Sequence, residues 1–171
     1  MAAIPDVIIS HYPVNYDSRG YFKRLYEVDF SDEALQFVHS SVSYNTSKGT
    51  LRGLHFQTTP SNEWKFVKCI KGEIFDCLVD VRLNSRTYGQ VMCLELNEKN
   101  NLGILIPPGI AHGFQTLEDD TLVFYAMTDV HRPELGRTLS WSDMSLKIPW
   151  PLVPTSISIS DEKGLNWPVA Y

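Results

Sequence analysis

Residues 51–57 have the sequence LRGLHFQ, a strand-like stretch that carries an arginine and a histidine three positions apart. Side chains of a regular β-strand alternate between its two faces, so Arg52 and His55 would point to opposite sides. Gly53 permits a local break or bulge that would turn both side chains toward one cavity. A histidine beside a fixed cation suits the removal of a proton from an anionic substrate. The alternative is a half-buried histidine with a structural role.

Strand signals continue on both sides of this stretch. β-Branched and aromatic residues are concentrated in short segments, namely residues 7–9, 21–26, 38–44, 66–70, 74–81, 90–96, 103–106, 113–117 and 122–127. Glycine, proline, asparagine and aspartate mark the turns between these segments. Many short strands at near-regular spacing, without long helical periodicity, predict an all-β antiparallel sandwich or barrel.

Two segments depart from the strand pattern. Residues 31–37 predict a short helix that Ser31 would cap. The proline- and serine-rich tail, residues 142–171, is expected to wrap the barrel. Because the chain has no internal repeat, linker or low-complexity region, residues 1–171 are expected to form a single domain.

The composition is that of an ordinary globular protein, with 43% hydrophobic and 20% charged residues. The formal net charge of -5 argues against nucleic acid as the main partner, but allows a small anionic ligand held by local arginines. Cys69, Cys77 and Cys93 lack metal-type clustering and are expected to be buried thiols of a reduced, cytosolic protein. We expect no signal peptide and no membrane partner, because no run approaches the roughly 18 apolar residues of a membrane span. The expected location is the cytoplasm.

Five further residues bear groups that could take part in the same chemistry. Arg19 lies in a turn, and His112 lies in a proline-rich turn that leads into a strand. Lys65 and Tyr125 lie within predicted strands, and Asp161 follows a Ser-Ile-Ser-Ile-Ser run in the tail. The alternatives are a solvated arginine, an edge-strand lysine, a core tyrosine and a surface aspartate, all of them common in globular proteins. Taken one at a time, these residues leave both interpretations open.

Seven motifs, spread over nearly the whole chain, place these residues in a common context: DSRGYF (17–22), KGTLRGLHFQ (48–57), WKFVKCIKGEIFDCLVDVR (64–82), TYGQ (87–90), IPPGIAHGF (106–114), FYAMTD (124–129) and IPWP…SISISD (148–161). They resemble the dTDP-4-dehydrorhamnose 3,5-epimerase family, and the combination of RGLH, KxVxxxxGExxDxxVDxR and PxGxAHGF is highly specific. The resemblance implies a cupin-type jelly-roll β-barrel with short peripheral helices, a homodimer, and catalysis without a metal or other cofactor. Position 57, two residues after His55, is glutamine, whereas a metal-binding cupin would need more imidazole and carboxylate ligands.

The resemblance also implies a role for each matching position. His55 is the general base that removes a proton next to the C4 ketone of a nucleotide-linked 4-keto-6-deoxy sugar, and Asp161 orients its imidazole. Lys65 stabilises the enolate oxygen, and Tyr125 returns a proton on the opposite face, which inverts the carbon. The resemblance also implies a set of substrate-binding residues: Arg19, Phe22, Arg24, Arg52, Gln57, His112 and His131. Of these, Arg19 and Arg52 hold the diphosphate or nearby polar groups.

Several positions depart from the family pattern in its nucleotide-binding half. Arg24 stands in place of the usual glutamate, and Ser40 and Val42 stand in place of a usual Gln-x-Asn element. His131 replaces an aromatic residue that stacks on the base, and Ser160 replaces a basic residue in the tail. These replacements predict a nucleotide other than thymidine diphosphate, or a different sugar. The ring of His131 is still able to stack on a base.

The expected function is epimerisation at C3, C5 or both, through an enolate, in the biosynthesis of rhamnose-type deoxysugars for O-antigen or other polysaccharides. Two alternatives share the scaffold: a nucleotide-sugar 3,4-ketoisomerase, and a non-catalytic cupin that binds sugar nucleotides. The complete set of His55, Asp161, Lys65 and Tyr125 favours the epimerase, because a binding protein needs no matched base and acid.

Overall fold

The computed structural model describes residues 3–27 and 35–169. Within these ranges nearly all regular structure is β-strand. The strands are β1 (Ile8–His11), β2 (Val14–Asp17), β3 (Gly20–Lys23), β4 (His39–Asn45), β5 (Leu51–Gln57), β6 (Lys65–Lys71), β7 (Glu73–Asp80), β8 (Val91–Asn97), β9 (Leu102–Ile106), β10 (Ile110–Thr116), β11 (Thr121–Met127) and β12 (Gly136–Thr138). One turn of helix, α1 (Ile159–Glu162), lies in the tail.

The strands form two five-stranded antiparallel sheets and a separate hairpin. The first sheet has the order β1-β9-β6-β11-β4, the second has the order β12-β5-β10-β7-β8, and β2 pairs with β3. The pairings 4-11-6-9 in one sheet and 5-10-7-8 in the other are those of an eight-stranded jelly roll. The predicted all-β jelly roll is therefore confirmed, with two facing sheets in place of a closed barrel.

The main core lies between the two sheets. Aliphatic side chains from both sheets meet there, among them Val67 of β6, Leu78 of β7 and Ile104 of β9, which are all fully buried. These side chains come from the inward-facing positions of each strand, because successive residues of a strand point to opposite faces. The three cysteines are buried free thiols, as the composition predicts.

The tail covers the outer face of the second sheet. Leu146 and Trp150 of the tail belong to the same apolar cluster as Cys77 of β7. A parallel bridge between Thr50 and Ser156 fastens the tail beside the start of β5. The predicted wrapping of the tail is confirmed, and it brings α1 into contact with β5.

The N-terminal segment covers the outer face of the first sheet. Tyr12 packs there against Phe66 of β6. Lys68, on the same strand, is fully buried; its ammonium lies 4.4 Å from the centre of the Tyr12 ring and donates to the Arg24 carbonyl at 3.1 Å. Burial, together with a neighbouring lysine charge, lowers the pKa of Lys68 to about 8. This face therefore holds a cation without a carboxylate partner among the described residues.

Each predicted strand coincides with an observed one, although the ends differ by a few residues. The short strands β2 and β12 escape the sequence pattern because they have few β-branched residues and depend on pairing with a neighbour. The predicted helix is not supported where it can be tested: residues 31–34 lie outside the described residues, and residues 35–37 form an irregular segment whose Phe37 ring packs on Tyr26 at 5.2 Å. No helix in the described part of the chain is long and apolar enough to cross a membrane.

Candidate active site

Strand β5 carries Arg52 and His55 where its pairing with β10 is irregular. His55 lies opposite His112, but Arg52 lies opposite Phe114, so β5 has one residue more than its partner over this interval. Gly53 has a φ of +107°, and a Cβ at this position would lie 2.6 Å from backbone atoms of β10. Arg52 and His55 are both exposed, whereas the leucines beside them are buried. The predicted break at Gly53 is confirmed, and both side chains point away from the core.

His55 is paired with Asp161, which the tail brings to β5. Nε2 of His55 lies 2.6 Å from Oδ1 of Asp161. The other carboxylate oxygen accepts a hydrogen bond from the backbone N–H of Gly53 at 3.2 Å. Asp161 is only 3% exposed, and its backbone N–H donates to the hydroxyl of Ser158, the N-cap of α1. Both carboxylate oxygens are therefore occupied, and the orientation of the group is defined.

The Asp161 carboxylate determines which nitrogen of His55 is free to act as a base. Burial, the largest single influence, would raise the pKa of Asp161. Hydrogen bonds from His55, Gly53 and Ser158, together with the charge of His55, outweigh burial, so this pKa lies below its ordinary value. An ionised carboxylate only accepts hydrogen bonds, so Nε2 of His55 carries the proton and Nδ1 keeps its lone pair. A carboxylate that orients a histidine in this way is a recurring feature of catalytic bases.

A cavity of about 500 Å³ opens beside His55, which is within the size range of small-molecule sites. Four of the predicted site residues line it: His55, Gln57, Lys65 and His131. His55 comes from the second sheet and Lys65 from the first, so the cavity lies at the mouth of the jelly roll where the sheets meet. Among residues 3–27 and 35–169, no three His, Cys, Asp or Glu side chains are grouped as ligands of a metal ion.

A second histidine–aspartate pair lies beside the first. His112 Nε2 is 2.8 Å from Oδ2 of Asp76, and both side chains are buried. The ring of Tyr125 stands edge-on to the His112 ring, with their centres 6.4 Å apart. Burial, and then the charge of Asp76, raises the pKa of Tyr125, while the charge of Arg52 opposes the rise. Tyr125 therefore keeps its proton at neutral pH, as a proton donor must.

Arg52 is held at one end and open at the other. Its Nε donates to the side-chain oxygen of Asn45 at 2.7 Å. Within the described residues its other N–H groups bond to no acceptor, and the side chain is exposed. An arginine anchored in this way presents the rest of its planar fork to an anion.

Three predicted binding residues lie away from the cavity. Arg19, in the β2–β3 turn, pairs with Asp17 at 2.6 Å and has a side chain that is 88% exposed. Phe22 on β3 is 70% exposed, and Arg24 pairs with Glu27 at 2.7 Å in solvent. None of these three lines the cavity, and neither do Arg52, His112 and Tyr125. The part of all six in binding or catalysis therefore stays a prediction.

The cavity wall also contains polar residues that the motifs do not indicate. Glu63, in the loop before β6, has its carboxylate 3.5 Å from Nζ of Lys65. Its position two residues before that lysine is the one local signal that could have found it. Arg137 also lines the cavity. It lies on β12, a strand that forms through its pairing with β5 and leaves no recognisable pattern in the sequence.

The fold and the site together define a jelly-roll enzyme that transfers protons: an oriented histidine and a lysine share one cavity, and a protonated tyrosine lies close to the second histidine. The family model described as dTDP-4-dehydrorhamnose 3,5-epimerase matches residues 1–168. The chain belongs to the dTDP-4-dehydrorhamnose 3,5-epimerase family. The resemblance inferred from the motifs is thereby confirmed.

Comparison with individual relatives supports the same assignment. The dTDP-4-dehydrorhamnose 3,5-epimerase of Methanothermobacter thermautotrophicus is 39% identical over 168 residues, which cover 96% of this chain and 90% of the relative. The crystal structure of the enzyme from Bacillus anthracis with TDP and PPi bound has a TM-score of 0.89 at 32% identity and covers 94% of both chains. The Legionella pneumophila dTDP-6-deoxy-D-glucose-3,5-epimerase, in complex with dTDP-4-keto-L-rhamnose, has a TM-score of 0.87 at 33% identity, covering 95% of this chain and 88% of that one. The predicted enzyme class, an isomerase that epimerises sugars, is confirmed.

Proposed function

We propose that this chain inverts C3, C5 or both in a nucleotide-diphosphate-linked 4-keto-6-deoxy sugar. The observation that carries the proposal is the His55–Asp161 pair, with Nε2 and Oδ1 2.6 Å apart, on the same cavity as Lys65. The ligand of the Legionella pneumophila structure, dTDP-4-keto-L-rhamnose, is a sugar nucleotide of this kind. A cavity of about 500 Å³ is large enough to hold such a sugar.

The first step is proton removal next to the C4 ketone. Nδ1 of His55 takes the proton from the sugar carbon, and the electron pair of the C–H bond moves into the enolate. Lys65 stabilises the negative charge that develops on the former ketone oxygen. Asp161 stabilises the imidazolium that forms, because its carboxylate lies 2.6 Å from the other ring nitrogen.

The second step is proton return on the opposite face. Tyr125 donates its hydroxyl proton to the same carbon, the ketone re-forms, and the configuration at that carbon is inverted. The charge of Arg52 favours the phenolate left on Tyr125, although burial and then the charge of Asp76 keep the pKa of that hydroxyl above its ordinary value. Solvent then restores the proton of Tyr125 and removes that of His55. General acid and base groups of this kind each contribute about 10²- to 10⁴-fold.

The diphosphate and the nucleobase of the substrate occupy the outer part of the cavity. Of the cavity residues, Arg137 offers a guanidinium group to the diphosphate and His131 offers a ring to the nucleobase. Arg52, anchored on Asn45 outside the cavity lining, offers a second guanidinium group. His112 supports the site through its contact with Tyr125. The changes at positions 24, 40 and 42 are the reason for testing nucleotides other than thymidine diphosphate.

The working form is a homodimer. The β2–β3 hairpin exposes three aromatic rings, Tyr16, Tyr21 and Phe22, and exposed aromatic clusters mark interfaces. Arg19 and Phe22, both predicted to bind substrate, lie on this hairpin, so a second copy that receives the hairpin gains them for its own cavity. Light scattering after size-exclusion chromatography should give twice the mass of the chain, and Tyr21→Glu should lower it. A wild-type monomer would contradict the dimer.

The setting is deoxysugar biosynthesis in the cytoplasm, including the supply of sugars for lipopolysaccharide. Nucleotide sugars are charged, water-soluble intermediates, and the three buried free thiols suit a reducing compartment. The product would be consumed by an enzyme that reduces the remaining ketone.

The test is proton exchange in D₂O. The protein is incubated with dTDP-, CDP- and GDP-linked 4-keto-6-deoxy sugars, and the C3 and C5 signals are followed by NMR. Exchange with inversion supports the proposal, and His55→Asn, which replaces the imidazole with a smaller, non-basic amide, should remove it. A carbonyl that moves to C3 would identify a ketoisomerase instead. No exchange with any substrate would leave a binding protein and refute the proposal.

A further inference from the structure

Glu63 is a nearly buried carboxylate whose two oxygens are both used. Its side chain is 11% exposed, and Oε1 lies 3.5 Å from Nζ of Lys65, which is itself 18% exposed. Oε2 accepts a hydrogen bond from Nε2 of Gln57 at 2.9 Å. Among the described residues, no other acidic side chain lies within ion-pair distance of Lys65. Burying a carboxylate is costly unless it is paired, and Glu63 is paired with the cation of the site.

The bond to Gln57 connects this ion pair with the part of the cavity wall that carries His131. Oε1 of Gln57 accepts the backbone N–H of Arg132 at 3.1 Å. The guanidinium of Arg132 in turn donates to Asp129 at 3.2 Å. Both ends of the Gln57 amide are therefore occupied within the protein, which favours a bracing role for it over direct contact with substrate. The Glu63 carboxylate thus links Lys65 to the part of the wall that carries His131.

We propose that Glu63 is a positioning residue that acts through Lys65, an inference that rests on the proposed epimerase function. A lysine ammonium sits on a flexible four-carbon stem, and it stabilises an enolate only if it is held where the charge develops. Glu63 restricts the stem and keeps the ammonium at the cavity wall. Gln57, braced at both ends, keeps the Glu63 carboxylate in line with the lysine. Because Lys65 and Gln57 use the two oxygens of Glu63, its effect reaches the reaction through Lys65 and the rate of proton transfer.

The variant Glu63→Gln tests this role with little change of shape. It keeps an oxygen for Gln57 but removes the charge next to Lys65. We expect the kcat for α-proton exchange to fall by about 10- to 100-fold, because misplacement of a reacting group by about 1 Å has effects of this size. The affinity for the nucleoside diphosphate of the accepted substrate (TDP, CDP or GDP) should stay within about twofold. Glu95→Gln, an exposed glutamate on β8, is the matched control and should behave as wild type.

A double-variant cycle separates positioning from general structural damage. In a Lys65→Met background, Glu63→Gln should change the residual exchange rate less than about twofold, because the group through which it acts is gone. An equal loss in both backgrounds would overturn the proposal. So would a wild-type rate in the single variant, or a parallel loss of rate and nucleotide affinity.

A readout without turnover keeps this test independent of the proposed reaction. In protein with ¹³C-labelled lysine, the signal that disappears in Lys65→Met identifies the Lys65 methylene next to the ammonium. Its order parameter should be high in the wild type and should fall in Glu63→Gln, as expected for a released side chain. An unchanged order parameter overturns the role of Glu63, even if the wild type is inactive on every sugar nucleotide tried. If the wild type turns over no sugar nucleotide but the order parameter still falls in Glu63→Gln, the proposed reaction is refuted. The role of Glu63 in holding Lys65 is then retained.

Discussion

Replacing Asp161 with asparagine should nearly abolish catalysis while the fold stays intact. The two side chains have the same shape, and the backbone N–H of Gly53, which donates at 3.2 Å, requires an acceptor, so the amide oxygen takes that place. The amide NH₂ then faces Nε2 of His55 across the present 2.6 Å contact. An NH₂ group donates, so it requires a lone pair on Nε2 and places the ring proton on Nδ1. The nitrogen that should accept the substrate proton would already carry one.

The expected loss follows from this change of tautomer. The exchange rate should fall by about 10³- to 10⁴-fold, the size of effect known for an aspartate-to-asparagine change behind a catalytic histidine. This corresponds to about 4 to 5.5 kcal/mol in the barrier. Part of that loss is electrostatic, because the carboxylate charge beside the forming imidazolium disappears.

The assay is deuterium incorporation at C3 and C5, followed by NMR with the substrate that the wild type accepts. Glu162→Gln is the control, since that exposed glutamate is next in sequence to Asp161 and its side chain contacts neither His55 nor the cavity. Thermal unfolding should show Asp161→Asn folded at the assay temperature. Exchange within tenfold of the wild-type rate would refute the assignment of Nδ1 as the base.

Three further predictions concern the acid and the stability of the fold. Tyr125→Phe should lower inversion by about 10²-fold or more while exchange falls much less; equal losses in the two NMR signals would speak against Tyr125 as the returning acid. Asp80 is fully buried, and although burial raises its pKa, bonds from Arg82 and two hydroxyls lower it to about 2. Asp80→Asn should therefore lower the free energy of unfolding in urea by about 2 kcal/mol at pH 7. The difference from the wild type should shrink as the pH falls from about 4 toward 2, because the protonated wild-type carboxyl loses this contribution. A difference that does not change with pH would contradict the prediction. Lys68→Met should stabilise the protein by about 2 kcal/mol at pH 7, because the buried ammonium has a pKa of about 8 against 10.5 in the unfolded chain. The folded wild type releases that proton first as the pH rises, so the advantage of the variant should shrink between pH 8 and 10, and a less stable variant at pH 7 would refute the argument.

The framework of the sheets was predictable because strands depend on local chemistry. The predicted strand over residues 74–81 is β7, Glu73–Asp80, displaced by one residue. By contrast, β12 contains one glycine, one arginine and one threonine, and it is a strand because β5 offers it a partner. Of the helix predicted over residues 31–37, only residues 35–37 lie in the described part of the chain, where they are irregular and Phe37 packs on the first sheet. Such tertiary packing outweighs the weak local preferences from which a short helix is predicted.

The site was predictable where its cause is local. Gly53 between Arg52 and His55 predicts a break in the strand, because an extra residue with positive φ favours glycine. The pairing of His55 with Asp161 joins positions 106 residues apart, so no periodicity indicates it, and it was inferred from the resemblance to a family. Glu63 was missed because a glutamate in a loop is usually a solvated charge. Its significance depends on the burial that the folded chain imposes.

The docking of the tail on the second sheet also determines when His55, the proposed catalytic base, acquires its carboxylate partner. During synthesis, His55 and Lys65 leave the ribosome long before residue 161 has been made. Until the segment with α1 settles beside β5, the imidazole has no carboxylate to select its tautomer. A nascent, truncated or clipped chain would therefore be catalytically silent even with both sheets formed. If His55 is the base, activity would therefore require the complete tail and not only the two sheets.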